Sequence, residues 1–380
     1  MRLSDIEPAY QAFVRDVIGR FGFDPATFHL ELAAADEMFF KGILPGYERP
    51  GAAFYRYVES ALRTHVVYRQ LADHLGGFSG LDRVLDFGSG YGRLTRTLRH
   101  RMDAKRIWVS DIYGDAVAWQ TTTFGVNGVV SAPDPDDFQA TGKFSIVFAA
   151  SVFSHFPDGL FQRWLARLQN LVRPDGLLAF SVHGVALAPE DVTIGPDGIG
   201  YARWSESETL DPGIYGMSYV TEDFVRRAVR ETCGAKAAET LRCFPRALFE
   251  KQDLYVVGGS GQPLESLKVQ ATPVGGVNSF GRLDKPWMGW GVESNPGHQI
   301  VRADLFVGDV FAGFTAPTAD NVATLQFFPG APNMPVSWLF ARVPGDGERL
   351  VRVELVSDTG LKAYAYGMDG VGEGRAAPRV

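Results

Sequence analysis

Asp86, Gly88, Gly90 and Gly92 crowd into one short stretch, and a second acid, Asp111, follows about 19 residues after the last glycine. Glycines at alternate positions let a chain turn through backbone angles closed to other residues, and let a ligand lie against the main chain. Amide N–H groups at the start of the next helix are then expected to point at that ligand. An acid at the end of a second strand can accept hydrogen bonds from two ribose hydroxyls. Asp86, ahead of the glycines, faces the place where a ligand ammonium would lie. The spacing is not the G-x-G-x-x-G of pyrophosphate binders, and no Gly-Lys-Ser/Thr phosphate loop is present. The set therefore favours a cationic nucleoside. Two histidines add proton chemistry. His155 and His183 each follow an apolar run, and an imidazole titrates near neutrality, so either could act as a base. No short ligand spacing supports a metal centre built on them.

The elements that must position these groups alternate. The apolar run from Val84 that ends in Asp86 reads as a strand, the glycine turn follows, and Arg93, Leu94 and Leu98 begin a helical pattern. A second strand ends at Asp111, a helix spans about 115–123, and a third strand covers 128–131. Residues 132–137 are a proline- and aspartate-rich loop. A fourth strand, 144–150, precedes Ser151 to Pro157, a helix stripe from Leu160 to Leu171 and a turn at 173–176. The fifth strand, 177–182, ends at His183. Residues 185–220 read as an insertion, 221–231 as a helix capped by Thr221, and 236–244 with 252–257 as two last strands. This is a doubly wound α/β sheet, whose ligands lie at the carboxyl ends of the strands.

At Asp86, Gly88, Gly90, Gly92 and Asp111 the chain resembles the class I S-adenosylmethionine-dependent methyltransferases. The glycines with Asp86 match that family's first motif, and Asp111 its ribose-binding acid. The resemblance implies S-adenosyl-L-methionine as cofactor and a Rossmann-like sheet ending in an antiparallel hairpin. It makes Ser89, Ile112, Ala150 and Ser151 cofactor contacts as well. Asp175 departs mildly from the family's R-P-G-G-like turn. Residues 1–80 are expected to form a helical cap and 81–258 the methyltransferase domain.

After a glycine-rich linker at 258–263 the helical period vanishes. Alternation at Val301–Val307 and Val351–Leu355 predicts an all-β sandwich over 265–380. Its segments 290–292, 310–313 and 328–333 resemble an immunoglobulin-like module appended to bacterial sugar-modifying enzymes. Asp320-Asn321-Val322 departs from that module's usual form. Trp287 and Trp290 read as sandwich core.

The chain has 380 residues, a formal net charge of −7, two cysteines and no C-x-x-C. That balance disfavours nucleic acid as partner, and the cysteines read as buried thiols. No stretch approaches a membrane span and no apolar signal core opens the chain, so a cytoplasmic location is expected. The expected activity is methyl transfer to an oxygen of a sugar, glycan or related small molecule, with Glu206 and Tyr215 of the insertion as acceptor-binding candidates. The alternatives are a natural-product methyltransferase, or an inactive cofactor-binding scaffold whose sandwich binds a partner. Self-association into a homo-oligomer is left open.

Overall fold

The computed structural model describes residues 1–205, 207, 209–278, 285–343 and 348–369. The chain divides into two compact units. One joins Met1–Glu31 and Phe39–Arg63 to Gln270–Val380; the other comprises Leu32–Met38 and Thr64–Val269.

Helix α1 spans Pro8–Arg20 and α2 spans Pro50–His74. The stretch between them, expected to be mostly helical, holds only short helical turns, among them a π-helical segment at Met38–Ile43. Gly22, Pro25, Pro45 and Pro50 interrupt any longer helical run there.

The second unit is built on a sheet. Strand β1 (Val84–Phe87) leads through the glycine turn to a helix, α3, of only four residues, Thr95–Leu98. Then come β2 (Ile107–Asp111), α4 (Gly114–Phe124), β3 (Asn127–Val130), β4 (Phe144–Ala149) and α5 (Asp158–Gln169). Strand β5 (Val172–Gly184) takes in the predicted turn at 173–176 as an irregularity, its register against β4 jumping from Val172 to Leu177. The parallel order is β3-β2-β1-β4-β5.

Two sequence expectations change here. The insertion carries strands β6 (Ile199–Ala202) and β7 (Met217–Val220), and β7 adds to the end of β5 by pairing His183 with Tyr219. Beyond α6 (Glu222–Cys233), the stretch expected to be a strand opens with helix α7 (Ala235–Thr240). Ala237 and Ala238 favour that helix, and Ala238 is buried beneath it. The strand begins only at Arg242, as β8 (Arg242–Leu248), and forms the expected antiparallel hairpin with β9 (Gln252–Gly258). Strand β9 pairs antiparallel with β5, setting Gln252 opposite His183.

Because side chains alternate across a strand, the sheet has two apolar faces. Leu85, Phe87, Val147, Leu178 and Phe180 pack with α5 and α6. Val84, Ile146, Phe148 and Leu177 pack with Val67, Tyr68 and Leu71 of α2. Helices on both faces are what a parallel sheet requires.

The C-terminal strands of the first unit form two antiparallel sheets. These use β10 (Val274–Val277), β11 (Trp287–Val292), β12 (Ile300–Val307), β13 (Val310–Thr315), β14 (Val336–Phe340), β15 (Arg349–Ser357) and β16 (Lys362–Asp369). The orders are β10-β11-β14 and β13-β12-β15-β16. The sheets meet face to face: a Cβ on Gly367 would strike the Trp287 ring, and one on Gly291 would strike Ile300 and Leu355. Trp287 and Trp290 are buried, as their core reading requires. Val301, expected inward, is exposed, because an irregularity between Ile300 and Arg302 shifts the alternation. The two cysteines are unpaired thiols and are half-buried, not buried.

Helix α1 covers the other face of β15 and β16. Phe13 stacks on Tyr366, and Asp16 accepts hydrogen bonds from Tyr366 Oη at 2.9 Å and from the buried Arg352 at 3.3 Å.

Trp164 of α5 is 2% exposed and packs on Phe87, Phe138 and Phe156 beneath the carboxyl end of the sheet. Trp164→Ala should lower unfolding stability by about 3–5 kcal/mol, read from the shift in urea midpoint.

Candidate functional site

The glycine turn is tied to the end of β2. The N–H groups of Gly88 and Ser89 both donate to Ser110 O, at 2.8 and 3.0 Å. Gly90 N–H donates to Asp111 Oδ2 at 2.8 Å, and Gly92 N–H to Ser89 O at 3.0 Å. These four amides are spent inside the protein. None of these four is left to face a ligand.

The glycines differ in purpose. All three have positive φ. A Cβ on Gly88 would lie 2.1 Å from Val152, and one on Gly92 would meet Phe124 and Gln120. One on Gly90 would meet nothing within 4 Å, so the space above it is open. Gln120, wholly buried on the inner face of α4, braces the turn by donating to Ser89 Oγ at 2.8 Å and Gly90 O at 2.7 Å. Sequence reading missed Gln120; its signal was an amide set in the apolar stripe Ala116, Val117, Phe124.

Asp86 is 5% exposed and accepts a hydrogen bond from Thr95 Oγ1 at 3.2 Å. Burial pushes its carboxyl up to about 7, with Asp111 pushing the same way and Thr95 and Arg93 opposing. Asp111, also buried, is raised by burial against the pull of the Tyr113, Gly90 and Ile112 amides. Its oxygens accept from Gly90 and Tyr113, with the Ile112 amide on the same carboxylate, and a carboxylate has acceptor capacity beyond these three. The short segment Leu32–Met38 reaches this corner. Ala33 packs with Tyr91 and Ala116, and Tyr113 Oη lies 3.4 Å from Glu37. Tyr113 Oη also bonds Ser207 Oγ and Thr209 Oγ1, so the insertion reaches the residue pair beside Asp111. Glu206 lies outside the described residues.

At the ends of β4 and β5 the two histidines come together, their rings 6.5 Å apart. His155 Nδ1 lies 2.7 Å from Gly216 O. A carbonyl only accepts, so Nδ1 carries a proton. Tyr215 stacks on the His155 ring at 4.4 Å, and Gly216 N–H returns a bond to His155 O at 3.0 Å. The insertion is thereby stapled to His155. His183 is different. Burial, then repulsion from His155 and Lys251, pushes it down to about 4. It stays neutral at pH 7 and takes protons poorly. Ala150 and Ser151 close β4, and Ser151 holds a left-handed φ of 57°. Ile112 follows Asp111 directly and contributes its amide to that carboxylate. Among the described residues no group of three or more His, Cys, Asp and Glu is placed to hold a metal ion, and no helix is long and apolar enough to cross a membrane.

Residues 55–232 match a family model described as a methyltransferase domain. The chain carries an S-adenosylmethionine-dependent methyltransferase domain. It is similar, at 23% identity over 125 residues, to a malonyl-[acyl-carrier protein] O-methyltransferase of Calditerrivibrio nitroreducens, over 33% of this chain and 48% of that one. An enzyme of the same description from Prosthecochloris aestuarii is 23% identical over 184 residues, covering 45% of this chain and 67% of its own. The match thus spans about half the length of the first relative. Among solved structures, a S-adenosylmethionine-dependent methyltransferase from Clostridium acetobutylicum aligns with TM-score 0.35 and 13% identity, over 55% of this chain and 98% of that one.

The methyltransferase domain's turn fits such a cofactor. Open space lies over Gly90, and a buried carboxylate beside it favours a cation. Asp86 sets a pH dependence. Its folded value lies above the ordinary 3.8, so the proton it keeps favours the ligand-free fold at low pH, and that contribution fades as pH rises through about 7. An ammonium ligand needs the carboxylate. S-adenosylmethionine affinity should therefore climb by roughly tenfold per pH unit below about 7 and fall again once the ligand's own α-amino group, with a pKa of about 7.7–8.0, is neutral. Calorimetry across this range on the wild type and on Asp86→Asn checks it: the variant should lose the acid limb.

Proposed function

We propose that this chain transfers a methyl group from S-adenosylmethionine to a hydroxyl oxygen of a sugar, glycan or related small molecule. Asp86 holds the cofactor's ammonium and Asp111 its ribose hydroxyls. Gly88, Ser89, Gly90 and Gly92 shape the surface beneath it, and Ile112, Ala150 and Ser151 line it. The cofactor supplies an electrophilic methyl: the acceptor oxygen's lone pair forms the new O–C bond as the C–S pair returns to sulfur. The hydroxyl proton passes to His155 Nε2.

The observation that carries this reading is the tautomer of His155. A base needs a lone pair, and with Nδ1–H held by the Gly216 carbonyl the neutral ring carries it on Nε2. The ring is also fixed in orientation by the Tyr215 stack. A sugar acceptor is supported by the polar groups along the insertion, where Ser207, Thr209 and Tyr113 share hydrogen bonds. The C-terminal sheets are read as an accessory module of immunoglobulin-like type.

A second reading is favoured by the relatives named for methylating a malonyl-[acyl-carrier protein] oxygen. A carboxylate acceptor is already deprotonated and needs no base. The two separate on His155→Gln. For a hydroxyl acceptor kcat should fall by roughly 10²–10⁴-fold and lose its acid limb with pH. For a carboxylate acceptor kcat should hold. Steady-state kinetics across an acceptor panel, with cofactor affinity measured alongside, decides.

A further inference from the structure

Ser151, Ser181, Gln252 and His183 form a hydrogen-bonded network at the edge of this site. Ser151 N–H donates to Ser181 Oγ at 2.7 Å. The Ser181 hydroxyl donates its own proton to Gln252 Oε1, 2.6 Å away. The other end of the same amide, Nε2, donates to Ser151 Oγ at 2.8 Å and to His183 Nε2 at 3.2 Å. His183 Nε2 is therefore an acceptor, and the ring proton sits on Nδ1. His183 Nδ1 is buried and has no hydrogen-bond partner among the described residues. Ser181 is wholly buried and Gln252 5% exposed. Gln252 stands directly opposite His183 across the β5–β9 pair, and Ser181, two residues back, shares its face.

We propose that Gln252 is a positioning residue that makes His183 a hydrogen-bond donor, and that its Nδ1–H serves an oxygen of the methyl acceptor beside the His155 base. This rests on the methyl-transfer reading above. A buried N–H without a partner is costly, and a ligand oxygen removes that cost. The two histidines then divide the work. His155 offers a lone pair on Nε2, while His183, its own Nε2 already engaged, can only donate. Gln252 keeps them from exchanging roles. The surroundings agree: His155, Lys251 and the stacked Tyr219 face His183, and Asp253 stands beside Gly184. Among the described residues no carboxylate is hydrogen-bonded to the His183 ring to draw a proton onto it.

The test is long-range ¹H–¹⁵N NMR of the histidine rings in the full chain, each assigned by substitution. His183 should be neutral, with its proton on Nδ1, from about pH 8 down to about pH 5. Gln252→Glu replaces the donor by a group that only accepts. It should move the His183 proton to Nε2 and raise its pKa by at least about one unit, because a carboxylate then faces the ring. With the acceptor, Gln252→Glu should lose roughly tenfold or more in kcat/KM while cofactor affinity stays within about twofold. A wild-type His183 protonated on Nε2, or titrating near an ordinary 6.5, overturns the proposal whether or not any variant folds. So does a Gln252→Glu variant that folds and leaves the tautomer unchanged. A chain that shows the tautomer yet methylates no acceptor overturns the acceptor role together with the reading it rests on, and leaves the Gln252–His183 assignment standing.

Discussion

Gly88 and Ser89 place their amides on one carbonyl, Ser110 O, and Gly90 places its own on Asp111. These bonds lash the turn after β1 to the end of β2, and the rest of the site depends on that closure. The turn can pack this tightly only because Gly88 and Gly92 carry no Cβ against Val152 and Phe124. Since the amides of Gly88, Ser89, Gly90 and Gly92 are used, these four are not open to a phosphate. What it leaves is a smooth floor at Gly90 flanked by two buried acids. A site of that kind favours a ligand with hydroxyls and a positive charge. Asp86, held near neutrality by burial, supplies the charge preference, because only a cation brought close makes its ionised form comfortable.

The acceptor side is organised by a second constraint, the insertion between β5 and α6. Its return strand β7 extends the sheet at the end of β5, and Gly216 bonds His155 through both its N–H and its C=O. A segment inserted in sequence thereby sets the chemistry of a histidine about 60 residues upstream. The opposite environments of His155 and His183 follow from their partners, a carbonyl in one case and an amide N–H donor in the other. Neighbouring imidazoles with different partners can divide a site's accepting and donating functions.

Much of the sheet was legible because its signals are local. An apolar run ending in an acid before alternating glycines marks β1, and the 3.6-residue stripes of α2, α4 and α5 are unambiguous. Strands β6 and β7 were not legible, since four residues each, among Gly, Tyr and Pro, show no usable period. Strand β8 was blurred by α7, where alanines and a short apolar face suit either state. The partners of α1 were illegible for another reason: an amphipathic helix announces a buried face but not what covers it, and here that is Tyr366 and Arg352 of the distant β15 and β16. The site shows the same division. Asp86, the glycines and Asp111 could be read from spacing. Gln120, Ser181 and Gln252 could not, because their value lies in which atoms face one another across strands.

The most direct test of the central claim, that the tied turn and its buried acids select a cationic nucleoside, is titration calorimetry of the full chain with S-adenosylmethionine, S-adenosylhomocysteine and NAD. Binding of both sulfur nucleosides, with Kd on the order of micromolar, about −8 kcal/mol, is the predicted result, with no heat from NAD. Binding of NAD with no response to either sulfur nucleoside would contradict the account, because it would require a pyrophosphate to be held by amides that the turn has already used.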